Sequence, residues 1–357
     1  MLTSTIKPLK KNAKRPDKDA SNWRPVALVR PLSKILELAL KSRIQFTSCP
    51  MQFAYTCGKG TRDAIKATFQ KLKRFKILYG RVFWILLDLS KAFDMLQYDK
   101  ILDTVQACTV TKRVLASFLT GCSLKIGLEP LIYCTRGVRQ GGLLSPFLFN
   151  NVANEFLNSV LLDDSEIGSI LGYADDFLPI SPSAAWIQKI LDKFVAFCAE
   201  KGLVLNPEKC KAMSSCTVAQ AATGIQNPTL RIGETTLEYV DSARYLGYTL
   251  TETLSSKNHM RESLSKFRKA IYAFKSTLKI KKMALLLRFA RTYIIPTIHN
   301  LEFVERLEAA HVQRFNYLLS KFFNFRSVEQ LKKLKKDRPW LDLEWLHSQA
   351  RKRFEEF

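Results

Sequence analysis

Residues 167–180 read IGSILGYADDFLPI. Two short apolar runs, 167–174 and 177–180, flank the pair Asp175-Asp176. Runs of this length on either side of a polar turn predict two antiparallel strands that meet at the aspartates. Adjacent carboxylates repel and raise each other's pKa unless a cation lies between them. A third carboxylate, Asp88, follows the continuous apolar run VFWILL (82–87), which predicts a buried strand. An unpaired charge at the end of such a strand costs several kcal/mol. If the strands are neighbours in one sheet, three carboxylates converge, a donor set suited to oxygen-loving divalent ions such as Mg2+. The competing reading is an Asp-rich turn plus a strand-end aspartate, and Asp-rich turns are common.

Outward from this stretch the pattern is mixed. Helices are expected over 34–43, 62–75, 99–119, 146–161 with Pro146 in the first turn, and 184–201 with Gly202 as its stop. Strands are expected near 203–205, 213–215 and 237–250. Beyond about 251 the pattern is helical, with Leu264, Phe267, Ile271, Phe274 and Leu278 at 3/4 spacing. This predicts an α+β body and an all-α C-terminal third, with a boundary near 250.

The chain has 357 residues, 47% hydrophobic and 25% charged, which excludes wholesale disorder. Lys+Arg 56 against Asp+Glu 32 gives a net charge of +24, which predicts a polyanionic partner, nucleic acid before an anionic membrane. The charge is uneven. Residues 59–81 hold eight Lys/Arg and one acid, 151–200 two Lys and eight acids, and 257–291 eleven Lys/Arg and one acid. An acidic middle between basic flanks suits a cation-dependent site set between phosphate-holding surfaces; singly, each basic run also reads as a solvated helix face. No apolar run approaches a membrane span, and no apolar stretch follows the N-terminal lysines as in a secretory signal. The eight cysteines include no CxxC pair and the four histidines no HxxxH spacing, so free thiols in a reducing compartment are expected rather than a disulfide scaffold or a zinc finger.

The segments LDLSKAFD (87–94), RGVRQGGLLSPFLFN (136–150) and GYADD (172–176) occur in that order, with 52 residues from Asp88 to Gln140 and 35 from Gln140 to Asp175. They resemble motifs A, B and C of reverse transcriptases. NWRPVALVRPLSKILE (22–37) and QFAYTCGKGTRDAI (52–65) resemble the family's fingers motifs, GLVLNPEKCKAM (202–213) its motif D and YLGYTL (245–250) its primer-grip motif E. The resemblance covers roughly 5–320, and the GVRQG and LSPFLFN wording is most similar to non-LTR (LINE-type) retrotransposon enzymes.

The resemblance implies a right-hand polymerase with an antiparallel palm sheet and an all-α thumb. Fingers would occupy 1–80 with part of 98–139, the palm 81–97 and 140–250, the thumb 251–325, and a basic helical extension 326–357. It implies an RNA-directed DNA polymerase that extends a DNA primer with dNTPs on an RNA template, using two Mg2+ ions, with Mn2+ able to substitute. Asp88 and Asp175 would bridge the metals, with Asp176 in support. Phe93, five residues after Asp88, would stand as a steric gate against a ribose 2′-OH. Gln140 and Gly141 would pack on the incoming nucleotide, with Gly142 beside them. Lys209 would protonate the departing pyrophosphate, and Tyr245-Leu246-Gly247 would lie under the primer 3′ end. Arg24 and Lys34 match basic fingers positions. In the thumb, Lys266, Arg268, Lys269 and Lys275 would face phosphates while Leu264, Phe267, Ile271 and Phe274 pack on the next helix. No membrane partner is implied, and the protein would be intracellular, in nucleus or cytoplasm.

Two departures stand out. Residues 54–56 are Ala-Tyr-Thr where the family usually reads Gly-Phe-Arg, so Lys59 or Arg62 would replace the triphosphate-binding arginine otherwise expected at Thr56. Pro179 falls in the strand after the Asp pair, where an edge or bulge would accommodate it. No endonuclease domain or Cys/His knuckle accompanies the motifs, so the chain reads as a truncated copy. Two rivals follow: an inactive mobile-element relic that only binds nucleic acid, and an RNA-dependent RNA polymerase, against which Phe93 and the Tyr-Ala-Asp-Asp tip argue.

Overall fold

The computed structural model describes residues 2–11, 16, 18–19, 22–162, 167–218, 226–278, 280 and 282–355. Two compact units divide at Val240/Asp241.

The first unit is built on a four-stranded antiparallel sheet. Its strands are β3 (Arg81–Leu86), β6 (Ser169–Tyr173), β7 (Asp176–Ser181) and β8 (Lys211–Cys216), in the order β6-β7-β3-β8. Helix α2 (Thr61–Tyr79) packs against β3, β6 and β7, and α6 (Ser145–Leu162) and α7 (Ala184–Lys201) also pack on the sheet. Phe83, Ile85 and Leu87 join the core formed with Phe149, Phe156 and Phe194 of those last two helices, while Val82 and Trp84, on the alternate positions, are fully buried outside that core. Burial on both faces is why VFWILL is continuously apolar rather than alternating. The helices begin and end as their sequence dictates. Ser183 Oγ accepts from Trp186 N at 3.3 Å to start α7, and Gly202 at φ 71° ends it.

A second sheet in this unit contains β1 (Leu2–Lys10), β2 (Trp23–Leu28), β4 (Cys122–Lys125) and β5 (Ile132–Tyr133), ordered β2-β1-β4-β5. β2 is an edge strand and so tolerates Pro25. Helix α1 (Pro31–Lys41) follows it with proline at its start.

Three expectations are corrected. The helix expected over 99–119 is two, α4 (Tyr98–Thr104) and α5 (Thr109–Thr120). Asn151 Nδ2 takes the Thr104 carbonyl at 2.8 Å and Gln45 N takes that of Gln106 at 2.9 Å, so tertiary partners replace a continued helical ladder. The strand near 203–205 is reduced to a single bridge, Leu89↔Leu205. The strand over 237–250 is replaced by short pieces, of which β11 (Ser242–Tyr245) and β12 (Tyr248–Thr251) form a hairpin. (β9 and β10, Arg231–Ile232 and Thr235–Thr236, form a separate ribbon.)

That hairpin belongs to the second unit, which places the unit boundary ten residues ahead of the one suggested by sequence. The reason is local. Thr249 Oγ1 donates to Glu262 Oε2 at 2.9 Å, tying the hairpin to α8 (Lys257–Thr277). The remaining helices are α9 (Met283–Phe289), α10 (Ala309–Phe323), α11 (Val328–Asp337) and α12 (Leu343–Glu355). Leu264, Phe267, Ile271 and Phe274 are buried as their spacing predicts. Phe267 stacks on Phe315 at 4.8 Å, so the main partner of α8 is α10 rather than the next helix in sequence.

His259 of α8 is fully buried, stacked 4.2 Å from the Tyr248 ring with Nε2 3.0 Å from the His299 carbonyl. Burial pushes its pKa down to about 4, opposed by that hydrogen bond and by Glu262 and assisted by His299 and Lys266. Between an unfolded value of 6.5 and about 4 the unfolded chain binds the proton and the folded one does not. Stability is therefore full above pH 6.5 and is lost as pH falls through this window, by up to about 3 kcal/mol. Thermal unfolding followed from pH 7.5 to 4 is expected to show this loss, and His259→Gln to flatten it. An equal slope in the variant would remove His259 as its source.

Candidate active site

The antiparallel register assembles the three carboxylates. β6 and β7 pair from Ser169↔Ile180 to Tyr173↔Asp176, leaving Ala174 and Asp175 as the turn. Across β7, Phe83↔Ser181 and Trp84↔Ile180 pair, and Leu87 bridges Phe177 in the same register. One step further Asp88 comes level with Asp176, so both strand ends deliver an aspartate to one edge of the sheet.

Pro179 sits in an interior strand, at neither an edge nor a bulge. Leu87 N donates to Phe177 O at 3.0 Å, so the peptide groups of 177, 179 and 181 face β3. Pro179 lacks the N–H that would complete its place in this ladder, and the β3–β7 pairing is interrupted at that point. The pairing on either side keeps the register.

The carboxylates sense one another. Burial, then the Asp88 charge, raises Asp175, against the opposing effect of its own backbone hydrogen bond and of Arg24. Burial, then Asp175 and Asp88, pushes Asp176 up to about 7. Lys209 Nζ lies 3.5 Å from Asp88 Oδ2. Its loop is laced to the strand end: Asn206 N donates to Asp88 O at 2.9 Å, Ser90 N to Val204 O at 2.7 Å, and Asp88 N to Cys210 Sγ at 3.4 Å.

Among the described residues no three His, Cys, Asp or Glu side chains are gathered closely enough to form a preset metal cage. The all-carboxylate set, in which burial and neighbouring charge raise Asp175 and Asp176, nonetheless fits a divalent ion. Mg2+ is held through one or two carboxylates and substrate phosphates rather than by an all-protein cage.

Five residues after Asp88, Phe93 is half-buried and stacked on Phe149, centroids 4.8 Å apart at 14°. Its carbonyl accepts from Val138 N at 2.7 Å, which joins this segment to the 136–144 loop. Gln140 Nε2 donates to both oxygens of Asp94, at 3.0 and 3.1 Å, and this turns the amide oxygen away from Asp94. Gly141, at φ +117°, is required by the protein itself: a Cβ there would lie 2.5 Å from the Ala27 carbonyl oxygen. Beneath the loop, Arg139 and Glu37 form a buried ion pair at 2.9 Å, and Glu37 also accepts from Leu143 N and Leu144 N. Sequence reasoning missed Asp94, Arg139 and Glu37 as positioning groups. The Asp94 signal was available, since it adjoins Phe93; Arg139 and Glu37 find each other only in three dimensions.

The remaining basic candidates are placed differently. Arg24 and Lys34 are exposed, and Arg24 acts on Asp175. Lys59 Nζ donates to the Pro50 carbonyl at 2.5 Å, and Arg62 lies in the first turn of α2. Thr56 Oγ1 donates to the Gln52 and Ala54 carbonyls, both at 3.2 Å.

Tyr245, Leu246 and Gly247 lie in the second unit, where Leu246 (φ 46°) and Gly247 (φ 86°) form the β11–β12 turn. There Lys275 Nζ donates to the Lys321 carbonyl at 2.8 Å and Asn324 Oδ1 at 2.6 Å, capping the end of α10. Lys266 is half-buried, its pKa lowered by burial and then by Arg244. Arg268 and Lys269 are exposed; Arg268 lines a cleft of about 370 Å3 with Arg261, Arg314 and His311. The basic residues Lys279 and Lys281 fall outside the described residues.

A sequence family described as reverse transcriptase (RNA-dependent DNA polymerase) matches residues 10–250. The chain is 30% identical over 267 residues to the retrovirus-related Pol polyprotein from type-2 retrotransposable element R2DM of Drosophila melanogaster, covering 68% of this chain and 24% of that protein. It is 28% identical to the Pol polyprotein from a type-1 retrotransposable element R2 of Popillia japonica, covering 64% and 35%. It is 23% identical to the RNA-directed DNA polymerase from mobile element jockey of Drosophila funebris, covering 75% and 31%. The chain thus spans about a quarter to a third of the length of these relatives. Among solved structures, the apo telomerase of Candida tropicalis superposes with a TM-score of 0.54 at 14% identity, covering 98% of this chain and 62% of that one. The fold is therefore that of a right-hand polymerase, in α+β form with an antiparallel sheet at the aspartates.

Proposed function

The chain belongs to the reverse transcriptase (RNA-dependent DNA polymerase) family, in its non-LTR retrotransposon branch, and from that premise we propose that it extends a DNA primer with dNTPs on an RNA template. The observation that carries this reading is the register that brings Asp88 level with Asp176 beside Asp175. Asp88 and Asp175 would hold two Mg2+ ions, or Mn2+ in their place, with Asp176 in support. When bound, such ions activate the attacking hydroxyl and stabilise the leaving phosphate oxygen.

The chain's own groups do the rest. Phe93 occupies the space a ribose 2′-OH would need. Asp94 fixes the Gln140 amide so that its oxygen meets the incoming nucleotide. Lys209, within reach of Asp88, delivers a proton to the departing pyrophosphate. Arg24 balances the carboxylate charge from the β2 edge. The test is primer extension on poly(rA)/oligo(dT) with Mg2+, comparing dNTPs with rNTPs. Extension by dNTPs alone is expected. Binding without extension would identify an inactive relic, and preferred use of rNTPs an RNA polymerase.

The second unit supplies the phosphate-holding surface in this reading. Because Lys275 is engaged in capping α10, the better test set is Arg261, Arg268 and Lys269. Changing these three to Gln is expected to weaken template–primer binding similarly for all sequences. It is also expected to flatten the salt dependence, by about 0.7–0.9 in slope for each phosphate no longer neutralised. An unchanged slope, measured by binding titrations at several salt concentrations, would move the role to the basic run at 59–81.

A further inference from the structure

The turn that carries Asp175 is held from outside its own hairpin. β6 is an edge strand, and residues 51–53 run beside it: Phe53 N donates to Gly172 O and Gly172 N to Met51 O, both at 2.9 Å. Between these two bonds the Gln52 side chain is 1% exposed. Its Oε1 accepts from three backbone N–H groups, Phe53 and Ala54 at 3.1 Å and Ala174 at 3.0 Å. Three converging donors fix which amide atom is the oxygen. Among the described residues Nε2 is left buried with no acceptor. An orphaned buried donor costs about 1–3 kcal/mol, so local bonding at Nε2 does not explain a glutamine here.

What the oxygen reaches does explain it. Ala174, directly before Asp175, has φ 55°. A non-glycine residue in that left-handed region costs about 1–2 kcal/mol and needs an external hold. We propose that Gln52 is a positioning residue whose amide oxygen pins the Ala174 N–H, keeping the turn in the conformation that sets Asp175 and Asp176 against Asp88. This rests on the reading of those aspartates as the divalent-ion site. The rival is that β6–β7 pairing alone sets the turn and Gln52 merely fills space.

The full chain and the variants Gln52→Ala and Gln52→Ala/Ala174→Gly are compared in two measurements. Hydrogen exchange of the peptide spanning 171–177 is expected to accelerate at Ala174 in Gln52→Ala by about fivefold, the worth of one net hydrogen bond. Unchanged exchange there overturns the proposal. Titration with Mn2+ alone, read by the EPR signal of free ion, is expected to show affinity lowered by about threefold to tenfold in Gln52→Ala and largely restored in the double variant. Restoration is expected because glycine adopts this φ without help. Affinity lowered and not restored means Gln52 acts by packing, and the proposal fails. If Gln52→Ala does not fold, Gln52→Met keeps the volume without the acceptor and is used in both arms. Asp175→Asn is the control: Mn2+ binding equal to that of the parent would sink the metal reading, and the exchange arm would still decide the role of Gln52.

Discussion

Asparagine in place of Asp88 or Asp175 is expected to lower the primer-extension rate by at least about 100-fold, since losing one metal ligand removes several kcal/mol of transition-state stabilisation. The same substitutions are expected to leave thermal stability unchanged or raise it. Burial and the Asp88 charge raise the Asp175 pKa, so the metal-free fold favours its charged form less than the unfolded chain does. A neutral amide of the same shape relieves that repulsion. The rate therefore falls while stability does not, which a merely structural aspartate would not produce. Extension rates from a single-turnover assay, read beside melting curves without metal, check both. A variant that kept more than about a tenth of the parent rate would end the two-metal assignment.

The strand ends that carry the aspartates were legible from local signals, one continuous apolar run ending at Asp88 and two short runs around Asp175-Asp176, while the pairing of the Asp88 strand with β7 was a supposition that only the fold supplies. Strand period and register then leave little freedom in where the carboxylates meet. The N-terminal sheet was not legible. β1 mixes Lys, Ser and Thr with few apolar residues, and β2 carries Pro25, so neither shows a clean alternation; β1 lies between β2 and β4, the latter more than 100 residues away in sequence. The break between α4 and α5 was hidden for a related reason. Sequence 99–119 is helical by pattern, and what ends α4 is an amide from Asn151 on another helix. Side-chain roles divide in the same way. Lys275 looked like a phosphate contact from its place on a basic helix, yet its partners are the Lys321 carbonyl and the Asn324 side-chain oxygen at the end of α10. Gln52 drew no separate reading within the 52–65 segment, and only the fold shows its oxygen bonded to Ala174 N. Periodicity reports which face is buried; it carries no information about which distant backbone group a buried amide meets.

Phe93→Val is expected to relax sugar selection more than it slows deoxynucleotide use. The ring stacks on Phe149 at 4.8 Å, and its backbone is anchored as well: the Phe93 carbonyl is bonded to Val138 N and the neighbouring Asp94 is held by Gln140. Stacking and an anchored backbone oppose displacement of the ring by a 2′-hydroxyl, which is what gives an apolar wall its discrimination. Shortening it to valine removes the distal ring carbons while the backbone bond and the Asp94–Gln140 contact remain. The loss of stacking costs about 0.5–1.5 kcal/mol of stability, too little to unfold a core anchored elsewhere. The opened space should lower the preference for dNTPs over rNTPs by about 10–200-fold, the range that 1–3 kcal/mol of steric selection supplies. The rate with dNTPs should fall by less than about tenfold, because the aspartates and Lys209 are untouched. Comparing kcat/KM for dTTP and UTP on the same poly(rA)/oligo(dT) duplex measures both effects. A folded Phe93→Val protein with unchanged preference would place the gate elsewhere, and Tyr98, the next aromatic along this segment and half-buried, would be the next residue to test.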